Sequence, residues 1–515
     1  MNLLDLLAIP RARRPHHPAL RTRRADGSWQ ELTSAQLHAR GEALAARLAA
    51  EGLARGERLA LYLPNGPELV LAYLAALRLG AVVLAMNLAY RAPEVAHLLA
   101  DAEPRLLLTD AAGREHLAPL LAGPAAPRVL LAEEVASPGA PAAAAPAPGL
   151  HPPVDGGEPA LLLYTSGTTG RSKGAVLTHD NLLATVTGLL AAWGWRDDDR
   201  LLLALPLFHV HGLVVGLTTA LAAGATVVLH ERFDAAAVLD GLAPGGATLF
   251  FGVPTMYVRL VDALRSPGLR DAGAPAARPL SGVRLFASGS APLAPETFAA
   301  FRQLTGHAIL ERYGMSETGI TLSNPLAGER RPGTVGTPLP GVSVRIVDED
   351  GGDVAPGSEG ELVVRGSNVF AGYWRDPEKT AASFLTAPDG RRWFRTGDLA
   401  RRDPGTGHVT LLGRRHDLVI SAGFNVYPRE VEEVLCAHPA VAEAAVTGMP
   451  DRDRGEVPAA WVVAADPAER LDPAALAAWC TDRLASFKIP RRIRQVEALP
   501  RNALGKVQKH RLESG

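Results

Sequence analysis

At 515 residues the chain exceeds the size at which a single hydrophobic core stops growing, so two or more domains are expected. A hydrophobic fraction of 47% with 21% charged residues is that of an ordinary soluble globular protein, and the longest apolar runs are too short to span a bilayer. A net charge of −1 without a long basic tract argues against nucleic acid as the main partner, and the only cysteines, Cys436 and Cys480, argue against disulfides and fit a reducing cytoplasm.

The opening residues 1–7, followed by Arg11, Arg13 and Arg14, lack the charge-then-apolar order of a signal peptide and read as a first helix. Residues 35–135 alternate helical periods (35–50, 66–79, 92–102) with short β-like runs (58–63, 81–85, 106–109), which predicts a layered α/β sheet. The Ala/Pro/Gly-rich stretch 138–153 reads as a linker or surface loop. From 159 to about 331 strands and helices alternate again, and 342–412 turn strand-rich at 342–347, 360–364, 392–394 and 408–412. The last hundred residues form a compact α+β segment, with helices over 426–435 and 473–483 and strands over 444–447 and 459–463.

The densest chemistry lies at 165–174, just after the apolar run 160–163. Thr165, Ser166, Gly167, Thr168, Thr169, Gly170, Arg171, Ser172, Lys173 and Gly174 hold five hydroxyls, three glycines, an arginine and a lysine. Glycines let a backbone wrap a ligand closely, and the exposed N–H groups, hydroxyls and lysine suit the oxygens of a polyphosphate. The spacing is not that of a Walker A loop. Gly170–Gly174 fits the G-x-S-x-G elbow of hydrolases, but an elbow serine must sit where the strand ends, and residues 165–171 intervene.

Five segments downstream fit a nucleotide site. Ser288, Gly289 and Ser290 end a strand in small residues that let a flat base approach. Tyr313 offers an aromatic to stack on adenine, beside Gly314, Met315 and Ser316, and Glu317 offers a carboxylate for magnesium. Asp398 suits two ribose hydroxyls, Arg414 supplies a cation near sugar or phosphate, and Lys506 stands on a glycine-supported turn.

In this order the motifs resemble the acyl-adenylate-forming superfamily of acyl-CoA synthetases, luciferases and carrier-loading adenylation domains, over nearly the whole chain. The resemblance implies an α/β fold: a large N-terminal domain (1–413) of layered sheets plus a β-rich subdomain, a hinge (414–417), and a small mobile C-terminal domain (418–515). It implies ATP and magnesium as cofactors, coenzyme A as co-substrate, and two half-reactions through an acyl-AMP. Lys506, Glu317 and His209 become the catalytic residues. Residues 165–170 with Lys173, Ser288, Gly289, Ser290, Tyr313, Gly314, Met315, Ser316, Asp398 and Arg414 become the ATP site, and Glu317 with Thr168 the metal site. The pivot is expected at His416, or one residue on at Asp417, where relatives commonly have Asp or Lys. The coenzyme A tunnel is expected at Ser421, Ala422 and Gly423, where relatives often have paired glycines.

Arg312 bears on the acid. The run 311–315 resembles the malonyl-CoA synthetase subgroup, as do residues 208–213, 321–325 and 423–428. A cation in an otherwise apolar pocket is costly unless an anion pairs with it, and a second carboxylate on the substrate would do so. Arg312, Val210, His211, Met315 and Ser288 are the expected acyl pocket, with malonate or methylmalonate as substrate. The alternatives are a medium-chain or aryl acid, or loading of a carrier protein, and for Arg312 an outward orientation or pairing with Glu311 or Asp398. A cytoplasmic monomer or weak homodimer, with no nucleic-acid or membrane partner, completes the expectation.

Overall fold

The computed structural model describes residues 2–23, 28–90, 92–121, 126–135, 154–165, 172–266, 280–421, 424–451, 454–481, 483–502 and 506–512. The expected linker at 138–153 lies outside them.

Two large sheets hold the described strands up to Thr337–Pro338, with Gly372–Tyr373 added at the edge of one. One has seven strands, and its centre is parallel: Arg58–Tyr62 pairs with Val82–Ala85 and Leu106–Thr109. Pro159–Thr165 continues it, and Lys173–Thr178 turns back antiparallel. The other has nine strands, with Arg200–Leu203, Thr226–Leu229, Leu249–Gly252, Leu285–Ser288 and Leu310–Met315 all parallel. Their unbroken apolar runs are what a parallel strand needs when both faces are covered. Helix Pro67–Leu79 is buried on every side and shares one core with residues of both sheets.

Strand Pro18–Arg23 lies parallel to Thr226–Leu229, Leu20 opposite Val227, and Trp29–Thr33 caps that edge. Neither strand was expected from the sequence. Their pairing joins residues two hundred positions apart, which no local pattern announces.

The strand-rich stretch forms a five-stranded antiparallel sheet of Val342–Val347, Glu359–Gly366, Arg392–Arg402, Phe384–Thr386 and Val409–Arg414. A separate five-stranded sheet, covered by helices Pro428–Cys436 and Pro473–Thr481, makes the small C-terminal domain around its own core of Val419, Val431, Leu435, Val446 and Val462. The fold is thus mixed α/β with a large N-terminal and a small C-terminal domain, as expected. Several boundaries differ, such as the strand expected at 392–394, which runs Arg392–Arg402, and one has a plain cause. The helix expected from 426 starts at Pro428, because Phe424–Val426 pairs with Val419–Ser421 as a strand and proline favours the first helical turn.

Candidate active site

In open α/β sheets ligands bind beyond the carboxyl ends of parallel strands. Those ends here carry Ser288, the 311–317 turn, and the 205–211 segment that follows Arg200–Leu203.

Arg312 and Tyr313 are neighbours on Leu310–Met315, and strand alternation sends them to opposite faces. Arg312 is 4% exposed, and its Nε and Nη2 have no hydrogen-bond partner among the described residues. It pairs with neither expected partner: Glu311 accepts from the Gly333 N–H at 3.0 Å, and Asp398 pairs with Arg414 at 2.8 Å. The guanidinium packs on the α-carbon of Gly289, where a Cβ would lie 2.5 Å from Cζ. A larger residue after Ser288 would displace the guanidinium from this position.

His211 Nε2, within electrostatic reach of this cation, is also without a partner among the described residues, as is the Ser288 hydroxyl on the neighbouring strand, opposite Glu311. His211 Nδ1 is 3.3 Å from the Ser290 hydroxyl. Burial, then Arg312, lowers the His209 pKa to about 4, and the same two causes plus His209 lower that of His211, so both rings are neutral at pH 7. His209 Nδ1 accepts from the His211 N–H at 3.2 Å, which leaves its proton on Nε2. Val210 is buried between the two histidines, at the start of the wide helix His211–Thr218. There Thr218 and Thr219 hydroxyls reach back five residues to the Leu213 and Val214 carbonyls at 2.7 and 3.0 Å. Such π-helical turns are rare and concentrate at functional sites.

The opposite face is fully paired. The Tyr313 hydroxyl donates to Asp398 Oδ2 and its ring is 8% exposed, packed with Leu322, Val335 and Leu362. Asp398 holds Arg414 Nε at 2.8 Å across paired strands, and Arg414 Nη1 donates to the Thr396 carbonyl at 2.9 Å. Gly314 and Met315 lie on the hairpin with Gly319–Ser323, and Ser316 is buried in its turn. A Cβ on Gly314 would strike the Gly319 carbonyl.

Glu317 is 5% exposed and accepts from the Tyr373 hydroxyl at 3.1 Å and Thr165 Oγ1 at 3.4 Å. Burial raises its pKa above the usual carboxylate range. A buried carboxylate bounded by hydroxyls, with no cation bonded to it among the described residues, fits a magnesium ion. Lys173 lies with Nζ 6.0 Å over the Tyr373 ring, and burial, then Lys379, lowers its pKa. Ser166, Gly167, Thr168, Thr169 and Gly170 lie outside the described residues, as do Ala422 and Gly423. Ser421 is buried opposite Gly455, its hydroxyl without a partner among the described residues.

Lys506 stands on a turn closed by the Arg501–Val507 bridge. The Asn502 N–H donates to its carbonyl and its own N–H donates to Asn502 Oδ1, each at 2.9 Å. Its side chain keeps solvent access but is crowded, and that crowding, then Arg414, lowers its pKa against the opposing pull of Asp398 and Asp417. The small domain therefore presents this lysine to the Asp398–Arg414 pair. His416 lies in the single turn Arg415–Asp417, between the last strand of the β-rich sheet and the first of the small domain.

Sequence reasoning missed Tyr373, which shares Glu317 with Thr165, and Glu361, which binds Arg395 and Arg415 and accepts from Gly397 at 3.3 Å. The aromatic run 370–374 was a signal for Tyr373. Nothing local marked Glu361, whose partners lie far along the chain.

The model of the AMP-binding enzyme family matches residues 9–374, and that of the AMP-binding enzyme C-terminal domain matches 430–506. A sulfoacetate–CoA ligase of Cupriavidus necator is 38% identical over 99% of this chain and 97% of its own. The mitochondrial malonate–CoA ligase of Bos taurus is 36% identical over 94% and 86%. The crystal structure of ATP-bound MatB from Rhodopseudomonas palustris superposes with a TM-score of 0.89 at 41% identity, over 100% of this chain and 99% of the other. The chain belongs to the AMP-binding enzyme family, as an acyl-CoA ligase that works through an acyl-adenylate with ATP, magnesium and coenzyme A.

Proposed function

We propose that the acid activated is a short one bearing a second anion, with malonate first and methylmalonate second. The observation that carries this is Arg312, a buried guanidinium with Nε and Nη2 unmet among the described residues, with the unmet His211 Nε2 in its electrostatic reach and the Ser288 hydroxyl on the next strand also unmet. Leaving a buried charge without a counter-ion costs several kcal/mol, on the order of 3–5 kcal/mol. A monocarboxylic acid cannot repay that, because its one carboxylate is consumed at the α-phosphate. A distal carboxylate can, through charge-assisted bonds to the guanidinium and the hydroxyl.

In the first half-reaction a carboxylate oxygen bonds to the α-phosphorus as the bridging P–O bond to the β-phosphate breaks, releasing pyrophosphate. Negative charge crowds at this step, so preorganised cations lower the barrier most. Lys506 bridges the acid and the α-phosphate, and Lys173 with the hydroxyls of 165–169 holds the β- and γ-phosphates. Glu317, with Thr168, holds the metal. Magnesium, when bound there, neutralises charge on the departing pyrophosphate. Asp398 takes the ribose hydroxyls, Tyr313 the adenine, and Arg414 orients Asp398. In the second half-reaction the thiol sulfur bonds to the acyl carbon, the acyl–oxygen bond to AMP breaks, and the thiol proton passes to water. Rotation at His416 or Asp417 withdraws Lys506 and brings up Ser421, Ala422 and Gly423; the change of sheet across Arg415–Asp417 supports a pivot there.

Sulfoacetate is the second reading. A relative with near-complete coverage carries that name, and a sulfonate has three oxygens for Arg312, Ser288 and His211. An aryl acid, as in the feruloyl-CoA synthase of Amycolatopsis that is 38% identical, would leave the cation buried against a ring. The test is AMP release with ATP and coenzyme A across malonate, methylmalonate, sulfoacetate, butyrate and ferulate. Malonate should give the highest kcat/KM; butyrate or ferulate in first place would remove the dicarboxylate assignment.

A further inference from the structure

Helix Ala92–Ala102 carries none of the residues assigned above, yet it grips both strands that bracket the 165–173 segment. His97 Nε2 lies 2.8 Å from the Ser172 carbonyl. A carbonyl only accepts, so the imidazole donates. One turn on, Asp101 accepts from the Tyr164 hydroxyl, and the Tyr164 ring stands edge-on to His97 with centroids 6.1 Å apart. Residues four apart share one helix face, so the pair acts together.

The same helix end reaches a third segment. The Asp101 carbonyl accepts from Trp374 Nε1 at 3.1 Å and Arg375 Nη1 at 3.4 Å. The Trp374 N–H in turn donates to the Gly174 carbonyl at 2.7 Å, and Tyr373, one residue before, bonds Glu317. In the hairpin Tyr164 faces Gly174 and Thr165 faces Lys173. One helix thus fixes the strand before Thr165, the residue before Lys173, and the segment that steadies Glu317.

We infer that His97 and Asp101 are positioning residues for polyphosphate binding: they set the placement of Thr165 and Lys173 against Glu317 before ATP arrives. The inference rests on the phosphate-loop reading of 165–174. Groups that hold a transferring phosphoryl must be fixed beforehand, and a misplacement of about 1 Å costs up to a hundredfold in rate. A cluster that served only the fold would not distinguish the two half-reactions. This one should, because thiolation of a ready-made acyl-adenylate involves no β- or γ-phosphate.

The full-length His97→Ala and Asp101→Ala variants are compared with the parent in two assays, alongside thermal melting. In acid-dependent pyrophosphate exchange KM for ATP should rise about tenfold, while transfer from supplied malonyl-AMP to coenzyme A stays within about twofold of the parent. His97→Gln, which keeps a donor near Nε2, should recover most of the loss. Tyr164→Phe, which keeps the ring, gives the same reading should His97→Ala not fold. An unchanged KM for ATP, or equal loss in both assays, overturns the inference. Lys173→Ala separates the underlying reading: if it too leaves KM for ATP unchanged, the phosphate-loop assignment falls, whereas an effect at Lys173 without one at His97 removes only the positioning role.

Discussion

Arg312 and Tyr313 are adjacent in sequence, both largely buried, and opposite in how their polar atoms are met. On the Tyr313 face hydroxyl, carboxylate and guanidinium form a closed chain: Tyr313 to Asp398 to Arg414 to the Thr396 carbonyl. On the Arg312 face two guanidinium nitrogens and a nearby histidine nitrogen have no partner among the described residues. A buried polar network is favourable when every member is satisfied and costly when it is not. On the reading proposed above, the nucleotide face is held ready by the protein alone, while the acyl face carries an unmet need that a ligand would fill. On the proposed reading, one face supplies affinity for a substrate common to the whole family, and the other makes the choice of acid.

The largest effect should come at the nucleotide end, where charge develops. Lys506→Ala should slow acid-dependent pyrophosphate exchange by roughly 10²–10³, the scale of removing one preorganised donor. Thioester formation from supplied malonyl-AMP should change far less, since the lysine has by then rotated away. Equal damage to both steps would end the two-orientation account.

Next comes the acyl end. Arg312→Ala removes the unmet cation and its partner contact together, so kcat/KM for malonate should fall by at least roughly 100-fold. Activity on acetate, propionate or butyrate should hold or rise. A proportional loss for malonate and butyrate would show Arg312 to be part of the structure rather than of the choice. Shrinking Val210 or Met315 should admit larger 2-substituted malonates, each methylene being worth about 1–3 kcal/mol.

A smaller change sharpens the contrast between the faces. Asp398→Asn keeps the shape and loses the ion pair to Arg414, and hydrogen bonds to charged groups contribute about 1.5–3 kcal/mol. KM for ATP should rise about tenfold while KM for malonate stays put, because that network never touches Arg312. Coupled changes in both constants would mean that the two faces are not independent.

How much of this was legible beforehand follows the same division. The acyl-face cation could be read from the sequence because Arg312 stands beside a tyrosine–glycine pair and a cation there is chemically conspicuous. The expected short strands at 106–109 and 342–347 also formed where their local apolar pattern placed them. What escaped was everything that depends on distant partners. Pro18–Arg23 becomes a strand only by meeting Thr226–Leu229. Tyr373 matters only because the Gly372–Tyr373 strand pairs with Lys173–Thr178 and so brings its hydroxyl to Glu317. The small size of Gly289 suggested room for a base, and the structure fills that room with the Arg312 guanidinium.

The smallest expected effect on activity lies one residue before Arg312. Alternation turns Glu311 away from Arg312, to the Gly333 N–H, with Arg429 and Glu433 of the small domain within electrostatic reach. Burial pushes its carboxyl up to about 7 from 4.5, with the Gly333 bond opposing the rise. A raised folded pKa means that the folded chain holds this proton more tightly than the unfolded chain does. The corresponding stability is fully present below pH 4.5 and is lost as pH rises through about 7. Glu311→Gln keeps an acceptor for Gly333 and cannot ionise, so denaturant unfolding should lose one group's share of its pH slope across that window, about 3–4 kcal/mol at most. Glu317 also titrates high, but it is common to both proteins and cancels in the difference. Because Glu311 faces away from the acid, the malonate preference of Glu311→Gln should equal the parent's. Identical pH slopes for the two proteins would show that the carboxyl ionises normally, and a changed acid preference would show that the two faces of this strand communicate after all.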